Sequence, residues 1–211
     1  MTITPIVGGY PVLNIAHLTR ATRALGPGLR AVVWVQGCPF NCKGCVAQGW
    51  IEERENILVS PDDLAHELLS DSRITGFTFS GGEPMLKAEG LAEVIKIGRK
   101  VKDLSLIVYT GFKLEYLQSH SEIPGVNSLL SETDVLIDGK YIQELNDNRG
   151  LRGSSNQNIH FLSNRLKGYD FTQSPRKVEV NLEDGSAFVI GVPPTGFPSR
   201  IRELLIPKIS V

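Results

Sequence analysis

Apolar and polar residues alternate in short runs through most of the chain, and the period of the pattern changes from run to run. Val12 to Leu18 reads as a short strand, and Leu25-Gly-Pro-Gly-Leu-Arg30 as a turn-rich segment. Leu29 to Val35 is a nearly continuous, β-branched apolar run, which suits a strand buried on both faces. Ser60-Pro61-Asp62-Asp63 predicts a helix start, with an N-cap, a proline in the first turn and acids beside the positive end of the dipole. Leu64, Leu68 and Leu69 continue it at helical spacing. Ile74 to Phe79 and Leu104 to Tyr109 read as strands, separated by a helix from Lys87 to Lys100 with Leu91, Val94 and Ile95 on one face. Lys113 to Ser119 predicts a short helix, and Val135 to Ile137 a further strand.

This β-α-β-α-β alternation, each strand ending in a polar or glycine-containing loop, predicts an α/β fold with a parallel sheet wound as a partial barrel. In such folds ligands bind on the loops beyond the carboxyl ends of the strands. Beyond Gly150 the pattern changes. Residues 151–158 are polar and loop-like, and Val178 to Leu182 with Ser186 to Val192 predict a hairpin turning at Glu183-Asp184-Gly185. Pro193-Pro194 stops the hairpin, because proline cannot continue a ladder. Ile201 to Leu205 predicts a last helical turn. The chain therefore divides into a core, residues 1–166, and a C-terminal extension of hairpin and proline-rich tail, residues 167–211.

The chemistry concentrates beyond the first buried strand. All three cysteines of the protein, Cys38, Cys42 and Cys45, stand there in a C-x3-C-x2-C run. Three cannot pair as a disulfide framework. Their clustering favours a metal centre over unliganded core thiols, and their number argues against a closed four-cysteine zinc or electron-transfer site. A 4Fe-4S cluster held by three cysteines keeps one iron open. Zinc completed by His17 or His160 is the alternative donor set. Gly81-Gly82-Glu83-Pro84 closes the next strand as the cysteine loop closes the first. Its glycines allow close backbone approach to a ligand, and a tight strand-to-helix turn would use them equally well. Asp138-Gly139 is both a turn signal and an acid at a strand end.

Composition narrows the classes. With 41% hydrophobic and 21% charged residues the chain reads as soluble and globular, and a formal net charge of −1 gives no footprint for general nucleic-acid binding. The longest apolar run is too short to span a membrane, no signal peptide is apparent, and the sparse cysteines suit a reducing cytoplasm. His66 reads as a solvated helix residue and Glu52-Glu-Arg-Glu55 as a solvated face, with the option of meeting an electron donor.

The cysteine run, Gly-Gly-Glu-Pro and the strand order together resemble the radical S-adenosylmethionine (SAM) superfamily. Within it the chain is similar to the activating enzymes of glycyl-radical proteins, and most to those of the anaerobic (class III) ribonucleotide reductases. Gly26-Pro-Gly-Leu-Arg30, Val35-Gln-Gly-Cys38, Gly44-Cys45, Tyr109-Thr-Gly-Phe112, Asp134 to Gly139 and Leu151-Arg-Gly-Ser-Ser-Asn-Gln157 carry that likeness, over roughly residues 12–162. Gly44 stands where most of the superfamily has an aromatic residue, as in the reductase activators, and the segment from about Lys167 onward has no counterpart in the short activators.

The resemblance implies that Cys38, Cys42 and Cys45 hold a 4Fe-4S cluster whose open iron chelates SAM. Gly81, Gly82 and Glu83 would line the methionine end of SAM, Gly44, Cys45 and Val46 would lie against it on the cluster side, and Tyr109, Thr110 and Gly111 deeper in the barrel. Asp138 would meet the SAM carboxylate through a monovalent cation. Gly82→Val is then expected to weaken SAM binding and spare the iron. The implied reaction is reductive cleavage of SAM and removal of a hydrogen atom from a glycine of a partner, anaerobic ribonucleotide reductase, with a low-potential donor such as flavodoxin or ferredoxin. It needs no general base beyond the cluster and SAM ligands. A radical SAM enzyme acting on a small molecule, like 7-carboxy-7-deazaguanine synthase, shares the core motifs but not Arg152 to Gln157. A non-enzymatic iron–sulfur or zinc adaptor is the remaining class.

Overall fold

A computed structural model describes residues 6–7, 10–120, 122–183 and 186–197. Strands β1 (Ile6–Val7) and β2 (Tyr10–Pro11) form a small antiparallel pair. The main sheet is built from β3 (Leu13–Thr22), β4 (Arg30–Val35), β5 (Ile57–Val59), β6 (Gly76–Gly81), β7 (Ser105–Thr110), β8 (Val135–Asp138) and β9 (Asn158–Phe161). They lie in the order β5-β3-β4-β6-β7-β8-β9. β4, β6, β7 and β8 run parallel, so their carboxyl ends share one edge. Antiparallel strands flank this block, β3 and β5 on one side and β9 on the other.

β4 is buried along its whole length, as its unbroken apolar run requires. Helices α1 (Pro61–Leu68), α2 (Ala88–Val101), α3 (Leu114–Ser119) and α4 (Val126–Glu132) bury their apolar residues in the core on one face of the sheet. Ser60 caps α1, its hydroxyl accepting the Asp63 N–H at 3.1 Å. The alternation of strand side chains sends Val32, Trp34, Ile107, Val135 and Ile137 to other clusters. These are packed by Leu151, Phe171 and residues of the extension.

The extension forms the predicted antiparallel hairpin, β10 (Val178–Glu183) and β11 (Ser186–Gly191). Phe188 sits against His17, Trp34 and Trp50, with ring centroids at 3.9, 5.3 and 5.8 Å, and Ile190 is fully buried. The Glu179 carboxylate accepts from the Thr22 hydroxyl at 2.6 Å and the Arg23 N–H at 2.8 Å. Arg176 donates to the carbonyls of Arg152 at 2.7 Å and Pro193 at 3.3 Å and to Asn146 Oδ1 at 2.9 Å. Residues 184–185 of the predicted turn and the helical turn at 201–205 lie outside the described residues.

Several elements depart from the sequence reading. The first long strand continues to Thr22 and pairs antiparallel with β4 across two register shifts. β5 and α4 have no counterpart in that reading, and β9 begins inside the segment read as loop. β5 is three residues long and mostly exposed, too short to register as an alternating pattern.

Candidate functional site at the strand ends

The cysteine loop leaves the carboxyl end of β4 and is held by backbone bonds to the segment that returns from it. Gly37 N–H donates to the Trp50 carbonyl and Cys38 N–H to the Ile51 carbonyl, each at 2.9 Å. Gln36 Nε2 donates to the Glu52 carbonyl at 2.5 Å. The Glu53 carboxylate lies over Gly37 and accepts from Lys87 at 2.9 Å. The acidic run is exposed, as its composition suggested, and its backbone also braces the loop. That role is set by long-range pairing and leaves no mark in the local pattern.

The loop after β6 interlocks with the same turn. Gly82 N–H donates to the Val35 carbonyl at 2.7 Å and Glu83 N–H to the Gly37 carbonyl at 2.8 Å. Gly81 has φ +103° and lies against Trp34 and Val35, and a Cβ on Gly82 would run into the Gly37 carbonyl. This contact bears on the expectation that Gly82→Val spares the iron, because an added Cβ would press on backbone that leads directly into Cys38.

Glu83 is 1% exposed. Its carboxylate accepts from the Met85 N–H at 2.9 Å, the Gly111 N–H at 2.8 Å and the Thr110 hydroxyl at 2.8 Å. Burial pushes this carboxyl up to about 7, against the three hydrogen bonds that favour its charge. The side chain ties the β6 loop to the β7 loop. Gly111 in turn receives the ring of Phe40, from between the first two cysteines, and Phe40 stacks edge-on to Phe112 at 4.7 Å with the Lys140 ammonium 4.8 Å over its ring. Gly44, with φ +72°, meets the side chain of Gln143. Loops from all four parallel strands thus meet around the cysteines.

The three thiols are partly buried and unpaired. Burial pushes Cys38 and Cys45 up, and the nearby Glu83 adds to the effect at Cys38. Among the described residues no three His, Cys, Asp or Glu side chains are arranged to hold a single metal ion. His17 packs on Phe188, and His160 bonds Asp138 through Nε2 at 2.9 Å, so neither completes a zinc set with the thiols. Three thiols on one loop, with glycine hinges at Gly37 and Gly44, fit the larger iron–sulfur cubane with three protein ligands.

The other expected site residues separate into two groups. Thr110 and Gly111 join Glu83, while the partly buried Tyr109 points to the opposite face and donates its hydroxyl to the Leu151 carbonyl at 2.9 Å. Val46 is 67% exposed. Asp138 is fully buried and each of its oxygens accepts twice. Oδ1 takes Lys113 Nζ at 3.2 Å and Asn158 N–H at 3.3 Å, and Oδ2 takes Leu114 N–H at 2.7 Å and His160 Nε2 at 2.9 Å. Burial opposes the Asp138 charge, but Leu114, His160 and Lys113 together hold the carboxyl below its ordinary range. Lys113 goes unmarked in the sequence, because only the fold places it on this acid. Arg30, fully buried, likewise shows its role only in the fold, bonding Thr78 Oγ1 at 2.7 Å and the Ser105 hydroxyl at 2.9 Å at the far end of the strands.

A mixed α/β chain with this thiol loop matches the family described as the 4Fe-4S single cluster domain, over residues 24–160. It is 38% identical over 145 residues to the anaerobic ribonucleoside-triphosphate reductase-activating protein of Vibrio cholerae, covering 64% of this chain and 89% of that protein. The proteins of the same name from Escherichia coli K12 and Enterobacteria phage T4 are 32% and 33% identical, covering 65% and 64% of this chain and 91% and 85% of those proteins. These relatives are shorter, since one aligned stretch fills most of each of them and about two thirds of this chain. The chain belongs to this iron–sulfur family of activating proteins. No helix among the described residues is long and apolar enough to cross a membrane.

Proposed function

We propose that this protein is a radical SAM activating enzyme that generates a glycyl radical on a partner, anaerobic ribonucleoside-triphosphate reductase. The observation that carries the reading is the interlock of the cysteine loop with Gly81-Gly82-Glu83, through Glu83 N–H on the Gly37 carbonyl. It sets a three-thiol loop and a glycine-lined turn side by side at the carboxyl edge of a parallel sheet, where α/β folds bind ligands. On this reading residues 1–166 form the catalytic unit, a partial barrel, and 167–211 an added C-terminal unit.

Cys38, Cys42 and Cys45 would hold the cluster, which supplies a low-potential electron and an open iron for SAM. Gly81 and Gly82 would admit the methionine end of SAM, and Glu83 would fix the two loops between which it lies. Gly44 to Val46 would flank the ligand on the cysteine side, and Thr110 and Gly111 from the β7 loop. The electron donor would be a flavodoxin or ferredoxin class protein.

The test is anaerobic. Full-length protein reconstituted with iron and sulfide, reduced, and given SAM should release 5′-deoxyadenosine. With the reductase present, an electron paramagnetic resonance doublet of a glycyl radical should appear. SAM cleavage without any radical on the reductase would overturn the partner assignment, and no cleavage at full iron loading would overturn the enzyme assignment.

A further inference from the structure

The acid that the family likeness pairs with a monovalent cation has no room for one. A carboxylate offers about four lone-pair sites. In Asp138 four donors from this chain already fill them, two on each oxygen. One of the four is itself a cation, the ammonium of Lys113 at 3.2 Å from Oδ1. The sheet ladder brings Asp138 opposite Asn158 and Leu136 opposite His160, which delivers two of the donors, and the start of α3 delivers the other two.

Lys113 is placed rather than free. Its Nζ also donates to the Asn156 carbonyl at 3.2 Å. It lies over Gly139, where an added Cβ would stand 2.7 Å from Nζ. Gly139 N–H is bound to the carbonyls of Thr110 at 2.9 Å and Phe112 at 3.1 Å, so the ammonium is fixed to the loop that carries Gly111, the partner of Glu83. An ammonium has three donors, and two are used among the described residues. The side chain is 44% exposed, so the ammonium is open to solvent on one side. Of the other lysines near the loop, Lys140 lies over Phe40, Lys87 donates to Glu53 at 2.9 Å, and Lys43 is 84% exposed beside Glu144 at 3.8 Å.

We infer that Lys113 is the binding residue for the SAM carboxylate, its ammonium standing where a bound monovalent cation would otherwise bridge that carboxylate to Asp138. The assignment rests on the SAM reading above. Asp138 and the Asn156 carbonyl position the ammonium, and Gly139 leaves space beneath it. SAM binding by this protein then needs no particular alkali cation.

The experiment measures SAM dissociation constants by anaerobic equilibrium dialysis on the cluster-loaded full chain. Ligands are SAM and decarboxylated SAM, in sodium, potassium or choline chloride at equal ionic strength. Wild type should bind SAM equally well in all three salts. Lys113→Met should weaken SAM by roughly ten- to a hundredfold, the range for one charge-assisted hydrogen bond, and weaken decarboxylated SAM far less. Lys113→Arg, which keeps the charge, should stay close to wild type. Equal weakening of both ligands by Lys113→Met would reduce the lysine to a structural partner of Asp138 and overturn the inference. So would a wild-type affinity that falls in choline, a measurement that needs no variant. Failure of wild type to bind SAM at all would overturn the parent reading instead.

Discussion

The Glu83 carboxylate accepts the Gly111 N–H at 2.8 Å and so joins the loops after β6 and β7 into one unit beside the cysteines. Its other oxygen takes the Met85 N–H and the Thr110 hydroxyl, so a single buried acid with three hydrogen bonds ties two loops together.

Glu83→Gln leaves one backbone N–H facing an amide NH2 in place of an acceptor. A buried donor left unpaired costs about 1–3 kcal/mol, and chemical denaturation should show a loss of that order. The pH dependence follows from the raised carboxyl. The folded protein holds the Glu83 proton up to about 7, while the unfolded chain loses it near the ordinary glutamate value. Stability from this group is therefore present at low pH and is lost as pH rises towards 7. Glu83→Gln should lack that slope, and identical slopes in the two proteins would contradict the assignment.

Cysteine replacement gives a simpler outcome. Anaerobically reconstituted wild type should carry about four irons, one cubane per chain. Cys38→Ala, Cys42→Ala or Cys45→Ala should each abolish 5′-deoxyadenosine release. Undiminished release from Cys42→Ala would remove that thiol from the donor set.

Gly82→Ala tests the interlock. The new Cβ meets the Gly37 carbonyl, backbone that cannot step aside without moving Cys38. Iron content and SAM affinity should fall together. A variant with full iron and weakened SAM binding would show that the turn yields and the cysteine loop does not.

The extension should matter for folding. Removing residues 176–211 strips Arg176, Phe188 and Ile190 from the sheet and exposes Trp34 with its neighbours Val32 and Leu25. Soluble, cluster-loaded protein should be lost. The partly buried Phe188→Ala should cost roughly 2 kcal/mol, below the range for a fully buried phenylalanine, read as a lowered thermal midpoint. A truncated protein that melts as the full chain does would show the extension to be dispensable.

Much of this was legible from local pattern. The capped start of α1, the buried run of β4 and the cysteine and Gly-Gly-Glu-Pro loops are written in adjacent residues, and they lie where the pattern put them. What the pattern could not show is pairing at a distance. Asp138 reads as a turn acid until His160 and Lys113 are brought to it, and the Glu52 run reads as solvated until its Glu52 and Arg54 carbonyls meet the side chains of Gln36 and Asn14. The antiparallel β3 was hidden for the same reason, because strand direction is decided by the partner and not by the strand.

Phe188 is synthesised long after the cysteine loop it helps to brace. It packs on Trp50, and Trp50 supplies the carbonyl that holds Gly37. Contacts this far apart in sequence close late and slowly. A ribosome therefore releases Cys38, Cys42 and Cys45 on a loop with one wall still missing, and that wall closes only when the last strand arrives.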